Sequence, residues 1–200
     1  LSPPRGERLE TTDALDVRTG GAESNVAVGA SRLGADAVWL SKLPDSPLGR
    51  RVAGDLRRHG VRPAVTWTDP AESRVGTYYL ERGAAPRGTN VVYDRADAAI
   101  TTVTPDELAT EALAGASRFH TTGITPALSD RAAETTAALL DAAGEAGLTR
   151  SFDLNYRAKL WDPEPARAAY EDLFARVAPL FVPHRAARAV PDREGHAAAA

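Results

Sequence analysis

A layered α/β fold is predicted for this chain by three features of its order. Short apolar runs alternate with amphipathic stretches at helical spacing. A glycine-rich loop runs straight into the first of those stretches, and one pair of β-prone runs interrupts the alternation as a hairpin would. The loop is Gly20-Gly21-Ala22-Glu23-Ser24-Asn25, after which Val26, Ala30 and Leu33 repeat at helical spacing. Glycines permit a tight turn and close approach of a ligand, and a helix N-terminus offers N–H groups to hydroxyls or an anion. Glu23 and Asn25 add an acceptor and a mixed donor/acceptor able to read sugar hydroxyls. The plainer alternative for such a loop is a turn that caps an ordinary helix.

The elements follow in order. Ala37-Val38-Trp39-Leu40-Ser41-Lys42-Leu43 reads as a strand. Leu48, Val52, Ala53 and Leu56 then share one helical face opposite Arg50, Arg51, Arg57 and Arg58, and Gly60 closes that helix. Thr77-Tyr78-Tyr79-Leu80 and Asn90-Val91-Val92-Tyr93 flank a glycine- and proline-bearing loop, the pattern of a hairpin and a sensible lid. Thr104-Pro105-Asp106-Glu107 predicts a helix start, with the helix running to about Leu113. Arg118-Phe119-His120-Thr121-Thr122 reads as a core strand, and Ser129-Asp130 opens an alanine-rich helix with Ala133, Thr136, Leu140 and Ala143 on one face. Ser151-Phe152-Asp153-Leu154 is a strand, Ala169, Tyr170, Leu173, Phe174 and Val177 mark a helix, and Leu180-Phe181-Val182 is a last strand.

Composition narrows the class. Of 200 residues, 43% are hydrophobic and 26% charged, as in a globular chain with a sizeable core. A net charge of −3 argues against a general nucleic-acid surface, and no apolar run reaches the length of a membrane span, so no nucleic-acid or membrane partner is expected. Without cysteine there is neither a disulfide nor a thiolate metal site, and a cytoplasmic home is the default expectation. His59, His184 and His196 show no metal-ligand spacing. His120 sits in an apolar run, where a hydrogen-bonded core histidine is expected rather than a base.

Candidate chemistry gathers after the predicted strand ends. Arg157 follows one, in Asp153-Leu154-Asn155-Tyr156-Arg157-Ala158-Lys159-Leu160-Trp161, and its planar fork can grip a carboxylate or phosphate. Asn155 can add a directional amide contact; the plainer use of such an arginine is a surface ion pair. Arg95 follows Tyr93 by two positions, just beyond the second β-prone run, where its planar fork can hold an anion. For Tyr78 and Tyr93 the plainer alternative to a binding role is ordinary sheet filling, the commoner use of tyrosine.

Four ordered stretches resemble the ribokinase-like (PfkB) sugar kinases, and within them the 2-keto-3-deoxygluconate kinase branch: the Gly20–Asn25 loop, Val75-Gly76-Thr77-Tyr78-Tyr79-Leu80-Glu81, His120-Thr121-Thr122-Gly123-Ile124-Thr125-Pro126, and the stretch from Phe152 to Trp161. The resemblance implies a three-layer α/β sandwich with a small β-sheet lid built from about residues 8–19 and 74–96. It implies phosphorylation of a keto-deoxy sugar acid to its 6-phosphate, with ATP and Mg2+ as cofactors and a homo-oligomer as a possible assembly. It assigns the sugar acid to Gly21, Ala22, Glu23, Ser24, Asn25, Tyr78, Tyr93, Arg95 and Arg157, and the nucleotide to Asn155, Tyr156 and Arg157, with both arginines converging on one acidic guest. Three departures follow from it. Asp94 stands where the family often has a second tyrosine, and His184 and Ala187 stand where many members show Asn-x-x-Glu. No Gly-Ala-Gly-Asp stretch, whose Asp is the family's catalytic base, occurs in the sequence. The chain is accordingly expected to be a fragment or truncated relative, clipped at both ends, with no catalytic residue and no activity alone. The alternatives are a non-catalytic sugar-acid-binding remnant and a kinase of this family for a neutral sugar such as fructose or ribose.

Overall fold

The computed structural model describes residues 1–83 and 85–184. These make two compact units, one from residues 1–103 with 107–109 and the other from residues 104–106 with the described chain from 110 to 184.

In the first unit, helix α1 spans Ala22–Arg32, strand β1 Val38–Pro44, helix α2 Pro47–Arg58 and strand β2 Arg62–Thr68. β1 and β2 pair in parallel, Val38 opposite Arg62 through Pro44 opposite Thr68, so β1, α2 and β2 make a crossover unit, of which the sequence reading named β1 and α2 but not β2. α2 starts where its sequence provides for it: the Ser46 Oγ accepts from the Gly49 amide at 3.1 Å and Pro47 occupies the first turn. Gly49 is obligatory, because a side chain there would strike the Pro44 carbonyl at the end of β1. Ala53 and Leu56 are buried, Leu56 against Ala37 and Val61, with Ala27, Val28 and Trp39 packed around them.

Two expected faces are corrected. In α1 the stripe Val26, Ala30, Leu33 is not the inner one: Val26 is 44% and Leu33 90% exposed. Ser24 is buried instead and Ala27 and Val28 pack on the core, a neighbouring stripe of smaller side chains. In α2, Leu48 is 54% exposed while Gly49 faces inward, since close approach to the β1 backbone leaves no room for a large side chain.

Strands β3 (Thr77–Glu81) and β4 (Asn90–Asp94) form the expected antiparallel hairpin, with Thr77 opposite Asp94 and Tyr78 opposite Tyr93. Residues 8–19 form no strand; they hold turns, and Asp16 contributes one isolated bridge, to Ser2. It is Leu1 that lies along β3, its amine donating to the Tyr78 carbonyl at 2.9 Å and its carbonyl accepting from Leu80 at 2.8 Å. The expected helix from Thr104 to Leu113 is instead two short 3-10 turns, Pro105–Glu107 and Thr110–Leu113.

The second unit is a parallel sheet ordered β5-β6-β7, from Arg118–Thr122, Thr149–Asp153 and Leu180–Phe181. Helices α3 (Asp130–Glu145) and α4 (Pro163–Phe174) connect the strands. The Ser129 Oγ caps α3 by accepting from the Ala132 amide at 3.1 Å. The buried face of α3 runs through Ala132, Thr136, Leu139, Leu140 and Ala143; Ala133 stands at its half-buried margin. Leu140, Phe152, Leu154, Ala166, Tyr170 and Leu173 make the core, and Val177 packs against it beyond the end of α4.

Tyr170 is the largest fully buried side chain. Its ring meets Trp161 edge-on at 5.3 Å and Phe152 at 6.1 Å, and its hydroxyl donates to the Gly123 carbonyl at 3.4 Å. Burial pushes its phenol up to about 12. The folded state therefore holds the neutral phenol, so this contribution is complete below pH 10 and is lost as pH climbs from 10 toward 12. The urea midpoint of the wild type should fall between about pH 9 and about pH 11 by more than that of Tyr170→Phe, which has nothing to ionise. Equal falls in both proteins would refute this.

Candidate functional site

In the first unit the glycine turn, the hairpin and Arg95 come together. Gly21 precedes α1 as its N-cap with extended backbone, and Gly20 and Gly21 are needed less for left-handed torsions than for their missing side chains. A methyl on Gly20 would overlap the Tyr78 hydroxyl, and one on Gly21 would lie 2.7 Å from the Ser24 Oγ. Ser24 is buried and donates back to the Gly21 carbonyl at 3.1 Å, which ties the first turn to the loop. Glu23 lies in that first turn, where an acid suits the helix dipole. Ala22 and Glu23 are half-buried, whereas Asn25 is exposed at the mouth of the turn.

The Tyr78 ring is a direct cross-strand neighbour of Tyr93, with centroids 6.2 Å apart. The Arg95 guanidinium then lies 4.0 Å over the Tyr93 ring. A row results, from Gly20 through Tyr78 and Tyr93 to Arg95, with glycine backbone at one end and a stacked cation at the other. Phenol hydroxyls and a guanidinium are thus set side by side.

The segment entering the turn is anchored to α2. Thr19 donates its hydroxyl to Asp55, which also pairs with Arg58, and Arg51 donates to the Val17 carbonyl at 3.1 Å. Asp94, the departure from the family pattern, has an evident partner. The Arg74 fork meets both of its oxygens, at 2.7 and 2.6 Å, and Thr77 adds a 3.4 Å hydrogen bond. The Arg74 hydrogen bond holds the Asp94 carboxyl below its usual range.

Sequence reasoning missed Lys42 and Glu107. Lys42 is 5% exposed and donates to both carboxylate oxygens of Glu107, at 2.7 and 2.8 Å, and to the Thr102 carbonyl at 3.2 Å. Thr66 donates its hydroxyl to the Glu107 carbonyl. The available signal was a lysine inside an apolar strand run, since a buried ammonium requires an acid.

In the second unit the candidate residues lie beyond the carboxyl ends of parallel strands, the usual ligand edge of such sheets. The Gly123 amide donates to the Asp153 carbonyl at 2.9 Å, and a side chain at Gly123 would strike the Leu154 carbonyl and the Tyr170 hydroxyl. Asn155 has φ +38°, a left-handed conformation that asparagine tolerates better than most residues, and its amide donates to the Asp153 Oδ1 at 3.2 Å. The Arg157 carbonyl accepts from Leu160 at 2.8 Å, closing a turn that carries the half-buried guanidinium residue. Tyr156 is largely committed to structure: its ring packs on the core and its hydroxyl donates to the Trp161 carbonyl at 3.2 Å. His120 is a strand residue whose Nδ1 is 2.9 Å from the Ser151 Oγ. His184 is exposed beyond β7, and Ala187 and His196 lie outside the described residues.

One unit thus holds a parallel α/β sheet with candidate residues at its carboxyl edge, and the other a hairpin that carries two tyrosines next to a cation. The pfkB family carbohydrate kinases match residues 3–200, and the chain belongs to that family. It is 61% identical over 197 residues to the 2-dehydro-3-deoxygalactonokinase of Haloferax volcanii, covering 98% of this chain and 61% of that protein. It is 32% identical over 163 residues to the 2-dehydro-3-deoxygluconokinase of Bacillus subtilis, covering 82% and 50%. Among solved structures, the 2-dehydro-3-deoxygluconokinase of Thermotoga maritima matches with a TM-score of 0.90 at 40% identity, over 94% of this chain and 58% of that one. The fold is therefore the ribokinase-like α/β fold, and the chain spans about half to three fifths of the length of these relatives.

Proposed function

We propose that this chain serves the ATP-dependent phosphorylation of a 2-keto-3-deoxy sugar acid, gluconate- or galactonate-derived, at its terminal hydroxyl. The observation that carries this reading is the stacking of Arg95 on Tyr93, in line with Tyr78 and the Gly20–Gly21 turn. The names of the Haloferax, Bacillus and Thermotoga relatives support it. Arg95 holds the carboxylate, a charge-assisted contact that a neutral sugar cannot return. The turn, with Ala22, Glu23, Ser24 and Asn25, meets the sugar hydroxyls, and the hairpin covers the sugar so that water does not compete for the phosphoryl group.

ATP supplies that phosphoryl group. Arg157, with Asn155 and Tyr156 beside it, suits the phosphates, because phosphoryl transfer needs charge neutralisation and positioning more than covalent help. Among the described residues no three His, Cys, Asp or Glu side chains gather as a cage. Mg2+ commonly rests on phosphates and waters with one or two carboxylates, and Asp153 is the carboxylate on this edge to hold such a water.

Calorimetric titration with 2-keto-3-deoxygluconate, 2-keto-3-deoxygalactonate and fructose tests the reading. A sugar acid should bind at least about tenfold more tightly than fructose, the worth of one charge-assisted contact. With no Gly-Ala-Gly-Asp in the sequence, these 200 residues should form no ADP in the same mixtures. Equal binding of acid and fructose would favour the neutral-sugar reading, and sugar-dependent ADP formation would place a base elsewhere in the chain.

A further inference from the structure

We infer that the Arg74–Asp94 pair is the positioning device for Arg95, so that discrimination in favour of a carboxylated sugar depends on two side chains that do not touch it. This rests on the substrate reading above and adds the residues that tune it.

The pair sits where the hairpin is rooted. Thr77 opposite Asp94 is the last register pair of β3 and β4, and Arg95 is the next residue. Arg74 grips the Asp94 carboxylate through both terminal nitrogens and also donates to the Asp94 carbonyl at 3.2 Å. Arg74 is itself fixed to the chain beyond the hairpin, bridging to Ala98 and accepting from the Ala99 amide at 2.9 Å. Behind Arg95 stands Gly76, where an added Cβ would lie 3.3 Å from the Arg95 Cβ. The Arg95 backbone is thus fenced by Gly76 on one side and the clasped Asp94 on the other, and from that footing its guanidinium folds over Tyr93.

Half-exposed, the pair contributes little to stability; its value lies in geometry. It also keeps Asp94 occupied.

Coulomb's law and positioning predict opposite signs, which makes the inference testable. Asp94 is an anion beside an anion-binding arginine, so field effects alone would make Asp94→Asn tighten sugar-acid binding. Positioning makes it weaken. Asp94→Asn and Arg74→Gln should each lower sugar-acid affinity by about tenfold, leave fructose affinity unchanged, and abolish the ring-current shift of the Arg95 side-chain protons seen by NMR. Arg74→Lys, which keeps the charge but not the fork, should fall between, and the exchange Arg74→Asp with Asp94→Arg should recover part of the loss. Sugar-acid binding in Asp94→Asn equal to or tighter than wild type, with the Arg95 shift retained, overturns the clasp and leaves the substrate reading intact. A wild type that ignores sugar acids overturns the substrate reading, while the NMR shift still decides whether the clasp orients Arg95.

Discussion

Glu107→Ala should cost about 3–5 kcal/mol of folding stability, the range for breaking a buried ion pair by removing one partner. The reason lies in what remains: an ammonium that is 5% exposed, with the Thr102 carbonyl at 3.2 Å in place of two carboxylate oxygens. Lys42→Met should cost much less. It removes the buried charge and keeps an unbranched apolar side chain in the same space, and the Glu107 side chain, 32% exposed, can turn to water. Urea unfolding followed by tryptophan fluorescence measures both. Equal losses would show that the pair is solvated in a way its geometry does not suggest.

Arg95→Ala should weaken sugar-acid binding by roughly ten- to more than a hundredfold, corresponding to about 1.5–3 kcal/mol for a hydrogen bond to a charged partner. Fructose affinity should change little, because no carboxylate is lost from that complex. Arg95→Lys should recover only part of the difference, since an ammonium neither stacks on Tyr93 as a plane nor grips in two places. Titration of all three proteins with both sugars gives the answer. An equal loss for acid and fructose would mean that Arg95 shapes the hairpin instead of meeting the acid.

Most of the architecture was legible because apolar spacing and caps agreed. The spacing of Val52, Ala53 and Leu56 with Gly60 announced α2, Ser129-Asp130 announced α3, and the β-prone runs about residues 77 and 90 announced the hairpin. What misled was competition between two stripes on one helix. Val26, Ala30 and Leu33 share a face by spacing, yet close packing selected the smaller stripe of Ser24, Ala27 and Val28, which size rather than hydrophobicity favours. From Thr104, capping residues and Pro105 mark a helix start equally well for one turn or three, and local signals do not fix length. Residues 8–19 were placed as strands by family resemblance alone, and the bridge that forms there needs a partner, Ser2, that local pattern cannot identify.

The site divides in the same way. Motif reading singled out Tyr78, Tyr93, Arg95 and the glycine turn, which the structure sets in one row, because each residue type carries its own chemistry. The supports were hidden, since Arg74 with Asp94, and Lys42 with Glu107, are defined by pairing across 20 and 65 positions.

The burial of Lys42 has a practical consequence. The sequence contains two lysines against a large excess of arginines, and the other, Lys159, is exposed two residues beyond Arg157. Amine-directed chemistry on the folded 200 residues would spare the buried Lys42 and favour the exposed Lys159 of the two lysines. An environment-sensitive dye could therefore be installed beside the loop of Asn155 and Arg157, and a change in its emission on adding nucleotide would test the phosphate role proposed for that loop.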